Sequence, residues 1–246
     1  MIILTLGLLL FICLIGIFFS LKKTTTTNDS ATTISSVSYN IYFLSLNSSS
    51  IESQATELGK DQMINDFSGY IWKNEENFYC LASAYENEND AILVKKKLEK
   101  EGIYSEIFKI SFPSVQLSSS YSAQERQTLF NALNSFHEIY CSLYDISISL
   151  DNKLNNETGA SLAINSVLAK FENILNDYKI LFSRSENNFI NTISRYLFDM
   201  HESLSLLKEK IFITPTQTFS SLIKYRYCES LDLNYNLILE IDSTEI

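Results

Sequence analysis

The 246-residue chain sets 19 Lys+Arg against 29 Asp+Glu, a net charge of −10, with 46% apolar and 20% charged residues. So acidic a composition lacks the basic stripe that releases counterions from a phosphate backbone, so no nucleic-acid partner is expected. Six Gly and two Pro exclude collagen-like and Gly/Pro-rich disordered architectures, and the length suffices for one or two domains that each bury a core.

Ile2 to Leu21 (IILTLGLLLFICLIGIFFSL) is twenty residues without a charge. Twenty helical residues rise about 30 Å, the thickness of a bilayer's hydrocarbon core, so residues 2–21 are expected to be an uncleaved transmembrane helix. A cleaved signal peptide would show a shorter apolar run, a basic stretch before it and an A-x-A-like site after it, and none of these is present. Lys22 and Lys23 follow the span and, by the positive-inside rule, vote for a cytoplasmic body. Thr24 to Ser36 (TTTTNDSATTISS) is polar and Thr/Ser-rich, so residues 22–36 read as a flexible linker. Beyond the two lysines, 17 basic residues face 29 acidic ones, a net of −12, which would not draw the body to anionic lipid.

Cys13 lies in the span as an apolar filler. Cys80, Cys141 and Cys228 are an odd, widely spaced set without C-x-x-C, so neither zinc nor a disulfide framework is expected. A single Cys141–Cys228 bridge stays open.

From residue 37 to 113 the periodicity switches repeatedly. SYNIYFLSLN (Ser38 to Asn47) reads as a strand. Ser50 can cap a helix to about Phe67, with Ala55, Leu58, Met63 and Ile64 on its apolar side, although Gly59 interrupts it. Gly69 ends that element and YIWK (Tyr70 to Lys73) is a short strand. The acidic turn NEEN leads to FYCLASAY (Phe78 to Tyr85), another strand. Asn87 or Asn89 can cap a helix through Ala91, Val94 and Leu98 that closes at Gly102. IYSEIFKIS (Ile103 to Ser111) is the last strand. The order β-α-β-β-α-β is the split βαβ, ferredoxin-like arrangement.

The second half of this segment, YCLASAYENENDAILVKKKLEKEGIYSEIF (Tyr79 to Phe108), resembles a SPOR domain, the small peptidoglycan-binding module of cell-division and sporulation proteins. Tyr85 stands where that family usually has an aromatic residue and Ala91 where it has the helix alanine. Leu98, Gly102 and the closing strand also match. The first half departs from the family pattern, with FLSLN in place of the strand-one glutamine and its following glycine. The layout of anchor, linker, SPOR-like domain (37–113) and helical region is similar to the stage II sporulation protein B group. The resemblance implies binding of peptidoglycan glycan strands at the division or sporulation septum, with the soluble part extracytoplasmic and septal or cell-wall proteins as partners.

Glycan recognition needs aromatic faces against sugar C–H surfaces, with hydroxyls nearby, and the split βαβ fold leaves one sheet face free of its helices. Alternation points Phe78, Cys80 and Ala82 toward the helices and Tyr79, Leu81 and Ser83 outward. In the first strand it points Tyr42, Leu44 and Leu46 inward and Phe43 and Ser45 outward. Trp72, the only tryptophan, sits in the short second strand. The expected glycan-binding residues are therefore Phe43, Ser45, Trp72, Tyr79 and Leu81, with Tyr85 flanking the second helix. The competing reading makes Trp72 and Phe43 core residues.

From Tyr121 the pattern is helical. Leu129, Leu133, Phe136, Tyr140 and Leu143 form one stripe, and Ala163, Val167, Phe171, Ile174, Tyr178 and Leu181 a second. Phe189, Ile193, Tyr196, Met200, Leu204, Leu207 and Ile211 form a third, and Phe219, Ile223, Tyr227, Leu231, Tyr235 and Ile238 a fourth. Four such stripes predict an antiparallel four-helix bundle over residues 121–242, giving an α+β chain. Ser122 with Glu125 is a capping box, Thr214-Pro215 a cap with Pro at N1, and breaks fall near Asn155 and Arg184.

No active site is expected. His137 and Cys141 share a helix face, which makes a Cys–His couple conceivable, but mid-helix apolar surroundings favour a packing role. His201-Glu202 lacks H-E-x-x-H, no Gly-rich phosphate loop occurs, and Glu75-Glu76 reads as a solvated turn. A cofactor is not expected either. The alternative to glycan binding is a membrane-tethered adaptor that binds only proteins.

Overall fold

A strand rich in β-branched and aromatic residues is stabilised most when both of its edges are paired, and Tyr39–Ser49 pairs on both. The computed structural model describes residues 34–209 and 217–244. In chain order these form β1 (Ile34–Ser35), β2 (Tyr39–Ser49), α1 (Glu52–Gln62), β3 (Tyr70–Asn74), β4 (Asn77–Tyr85), α2 (Glu88–Lys100), β5 (Glu106–Phe112) and β6 (Gln116–Leu117). Four long helices follow: α3 (Ala123–Asp151), α4 (Glu157–Phe182), α5 (Asn188–Glu209) and α6 (Phe219–Thr244). The fold is α+β, and these residues pack as one compact unit. The expected anchor at 2–21, most of the linker and the Thr214-Pro215 cap lie outside the described residues. Among the described residues no helix is long and apolar enough to cross a membrane.

The four-stranded sheet has the order β3-β4-β2-β5, antiparallel throughout, with the expected β-α-β-β-α-β connectivity. Leu44 and Ala82 meet Ala91 and Leu98 of α2 in a small core on one face, with Tyr42, Leu46 and Val94 packed around it. Leu44 pairs with Ser83 but Ser45 with Leu81, so Ala82 is an extra residue on β4. This bulge breaks the simple alternation along β4, and the Ser83 hydroxyl lies 2.6 Å from the Tyr227 hydroxyl of α6. The last residues of the expected linker are also ordered. β1 pairs with β6, and the Val37 amide donates to Asn134 Oδ1 on α3 at 2.8 Å.

Local hydrogen bonds set the helix ends. Ser50 is not the α1 cap: Ile51 holds that position without a side-chain cap, and the neighbouring turn is made by Ser49 Oγ accepting from the Ile51 amide at 3.0 Å. The helix passes into a single 3₁₀ turn at Met63–Asn65, which leaves Ile64 exposed instead of buried. Asn87 is the α2 cap, its Oδ1 accepting from the Asn89 amide at 2.9 Å. α2 ends in a Schellman motif, with Ile103 N–H on Leu98 O and Gly102 N–H on Glu99 O. That use of the Ile103 amide explains why β5 starts at Glu106 and not at Ile103.

The Ser122–Glu125 capping box opens α3. Short loops at 152–156 and 183–187 turn the chain back, so that α4 packs between α3 and α5 while α6 closes against both. The first and fourth predicted stripes, and the third as far as Leu207, are largely buried as drawn, and Ile211 lies outside the described residues. The α4 stripe is rotated: Ile164, Leu168, Leu175 and Phe182 are buried, whereas Ala163, Val167, Ile174 and Leu181 are half-buried.

Candidate functional site

The sheet face opposite α1 and α2, expected to stand open for sugar rings, is covered by protein. Phe43, Trp72 and Leu81 do share that face, but they are 0%, 1% and 0% exposed and belong to the main core together with residues of α3 and α6. α6 lies across β3 and β4. Its Tyr235 ring is 5.5 Å from Trp72 and 5.6 Å from Phe112, and Tyr225 meets Tyr70 edge-on at 5.0 Å. Phe43 and Trp72 lie 4.5 Å apart, ring to ring. From α3, the Tyr140 hydroxyl donates to Ala84 O at 3.2 Å. Ser45 is also buried, its hydroxyl held by the carbonyls of Asn47 and Cys80. Tyr79 keeps partial exposure beside Phe108. Tyr85 is buried, and walls a cleft of about 560 Å³ between α2 and the ends of α3 and α6.

The expectation of a face free of helices is therefore corrected. Phe43, Trp72 and Leu81 share one face as alternation predicts, but an apolar face does not say whether a ligand or another part of the same chain will cover it. Here the fourth helical stripe covers it.

Several polar groups of the contact tolerate burial because they are paired. Tyr70 OH donates to Asp232 Oδ2 at 2.6 Å, Asn236 Nδ2 donates to Asp232 Oδ1 at 3.0 Å, and Asn234 Nδ2 donates to Tyr39 OH at 2.6 Å. Lys224 reaches Asp151 Oδ2 at 2.6 Å and Asp66 O at 2.8 Å. Burial raises the Asp232 carboxyl above its ordinary value, against the hydrogen bonds from Tyr70 and Asn236. A raised acid takes up protons on folding, so its contribution to stability is present below the unfolded value, about 4, and lost as pH rises through the folded one. Relative to Asp232→Asn, the wild-type chain is expected to lose stability as pH climbs through that window. Urea midpoints of both proteins over the acid range test this, and a relative gain with rising pH would overturn it.

A second constellation lies at the junction between sheet and helices. His137 and Cys141 are one turn apart on α3, and Glu86 sits between β4 and α2. His137 Nε2 is 2.5 Å from Glu86 Oε1, Cys141 Sγ is 3.5 Å from His137 Nε2, and Cys141 Sγ is 3.6 Å from Glu86 Oε1. The imidazole is clamped by Tyr39, stacked 3.9 Å away at 21°, and Tyr39 is itself stacked on Phe112 at 4.6 Å and 8°. Burial pushes the Cys141 thiol up to about 12, and the Glu86 charge pushes in the same direction. At neutral pH that thiol stays protonated, the opposite of the electropositive setting of a nucleophilic cysteine. Spacing on one helix revealed His137 and Cys141. Glu86 was missed, since a loop residue 51 positions before the histidine leaves no periodic signal.

Compared with protein-family models, curated proteins and solved structures, the chain matches none of them.

Proposed function

We propose that this chain is a membrane-anchored, non-enzymatic adaptor. In this reading residues 2–21 span the membrane, and a SPOR-like module (37–113) is docked on an antiparallel four-helix bundle (121–242) outside the cytoplasm. The observation that carries the reading is the burial of the sheet face under α6, with Trp72 only 1% exposed. A face that would take glycan in the resembling family is here committed to protein. Peptidoglycan binding at the division or sporulation septum, the second reading, is favoured by Tyr79, the nominated aromatic that keeps partial exposure. It would require α6 to leave the sheet.

Sedimentation separates the two. The detergent-solubilised full chain, mixed with purified sacculi, is expected to stay in the supernatant. Specific pelleting would overturn the adaptor reading in favour of glycan binding. Alkaline phosphatase fused after Ser36 is expected to be active in intact cells, and an inactive fusion would place the body in the cytoplasm.

A further inference from the structure

We infer that Glu86, His137 and Cys141 form a site for one zinc ion, with water as the fourth ligand, that ties the β4–α2 loop to α3. Three donors of different chemistry converge there, their ligand atoms all within 4.8 Å of one another. With zinc bonds of 2.0–2.3 Å, the edges of a tetrahedral site measure about 3.5 Å between sulfur and nitrogen or oxygen, and about 3.3 Å between nitrogen and oxygen. The two sulfur edges, 3.5 and 3.6 Å, already have those lengths. The third, 2.5 Å, is a hydrogen bond between His137 and Glu86 that the ion would replace, widening by less than 1 Å.

The setting suits a cation of this kind. A thiol and an imidazole select zinc over magnesium or calcium, which take oxygen ligands. Glu86 is supplied by a loop, and its side chain is 51% exposed, so it can move while the helix-borne pair stays put. The ring stack of Phe112, Tyr39 and His137 fixes the imidazole plane, limiting the entropy lost when the ion binds. Asp145, one turn beyond Cys141 on α3, adds a further negative charge near the thiol. The His137 side chain is 21% exposed, which leaves an approach for the ion and room for the water. Zinc binding would release the thiol proton, turning a buried neutral group into a metal-bound thiolate.

Cobalt(II) alone is the probe. Titrated into the metal-free, detergent-solubilised full chain, it is expected to bind at one equivalent. A thiolate-to-cobalt charge-transfer band and the intense visible bands of a four-coordinate ion should appear, and zinc should abolish both by displacement. Cys141→Ser should remove the charge-transfer band, and His137→Gln and Glu86→Gln should each weaken zinc binding at least tenfold. Zinc should raise the melting temperature of the wild type and not of Cys141→Ser. Absence of the band in the folded wild type, or its survival in Cys141→Ser, would overturn the site and leave His137–Glu86 a hydrogen-bonded pair only. Glu86 is exposed, so Glu86→Gln keeps the fold and carries the test even if the Cys141 variant does not fold; unchanged zinc affinity in Glu86→Gln would likewise overturn the three-ligand site.

Discussion

Trp72→Ala is expected to destabilise the protein by about 3–5 kcal/mol, the range for deleting a buried tryptophan. The indole is 1% exposed between Phe43 of β2 and Tyr235 of α6, so its removal opens a cavity shared by the sheet and the helical layer. Trp72→Phe should cost clearly less. It fills part of that space, and it removes the indole Nε1–H, which has no hydrogen-bond partner among the described residues. Urea denaturation of the three proteins checks the order wild type, Phe, Ala. An Ala variant with the wild-type midpoint would show that the tryptophan is not a core residue, and that outcome would return it to the candidates for ligand stacking.

Gly69→Ala should be about as damaging, at roughly 2–5 kcal/mol, because backbone strain and overpacking add. Gly69 has φ +64°, and a Cβ there would lie 2.4 Å from Gly59 O and 2.7 Å from Met63 Cγ. Gly59 faces the reciprocal restriction, its added Cβ meeting Gly69 O at 2.4 Å. The two glycines thus let α1 press directly on the chain entering β3. Gly102 is the internal control. Its φ is +78°, but a Cβ there meets nothing within 4 Å, so Gly102→Ala should carry only the left-handed penalty of about 1–2 kcal/mol. Equal melting losses at positions 69 and 102 would refute the close approach.

Gly59 also shows where a local reading stops short. Inside a helical pattern it counted against the helix, yet the helix is there, and the glycine serves a contact with a segment ten residues on. The same division runs through the whole chain. Period-2 and period-3.6 patterns, Asn87, Ser122 and Gly102 specified the elements of the sheet unit and the opening of α3, because caps and periodicity act within a few residues. The strand order followed from connectivity. The tertiary structure decided what no local pattern encodes. An apolar stripe on α6 and an apolar sheet face are each legible, but their mutual contact depends on shape and on pairs such as Tyr70–Asp232, separated by 162 positions. The meeting of Glu86 with His137 and Cys141 was decided in the same way. The β4–α2 loop reaches α3 only once the sheet has docked, so the helix-borne pair was visible in the sequence and its third partner was not.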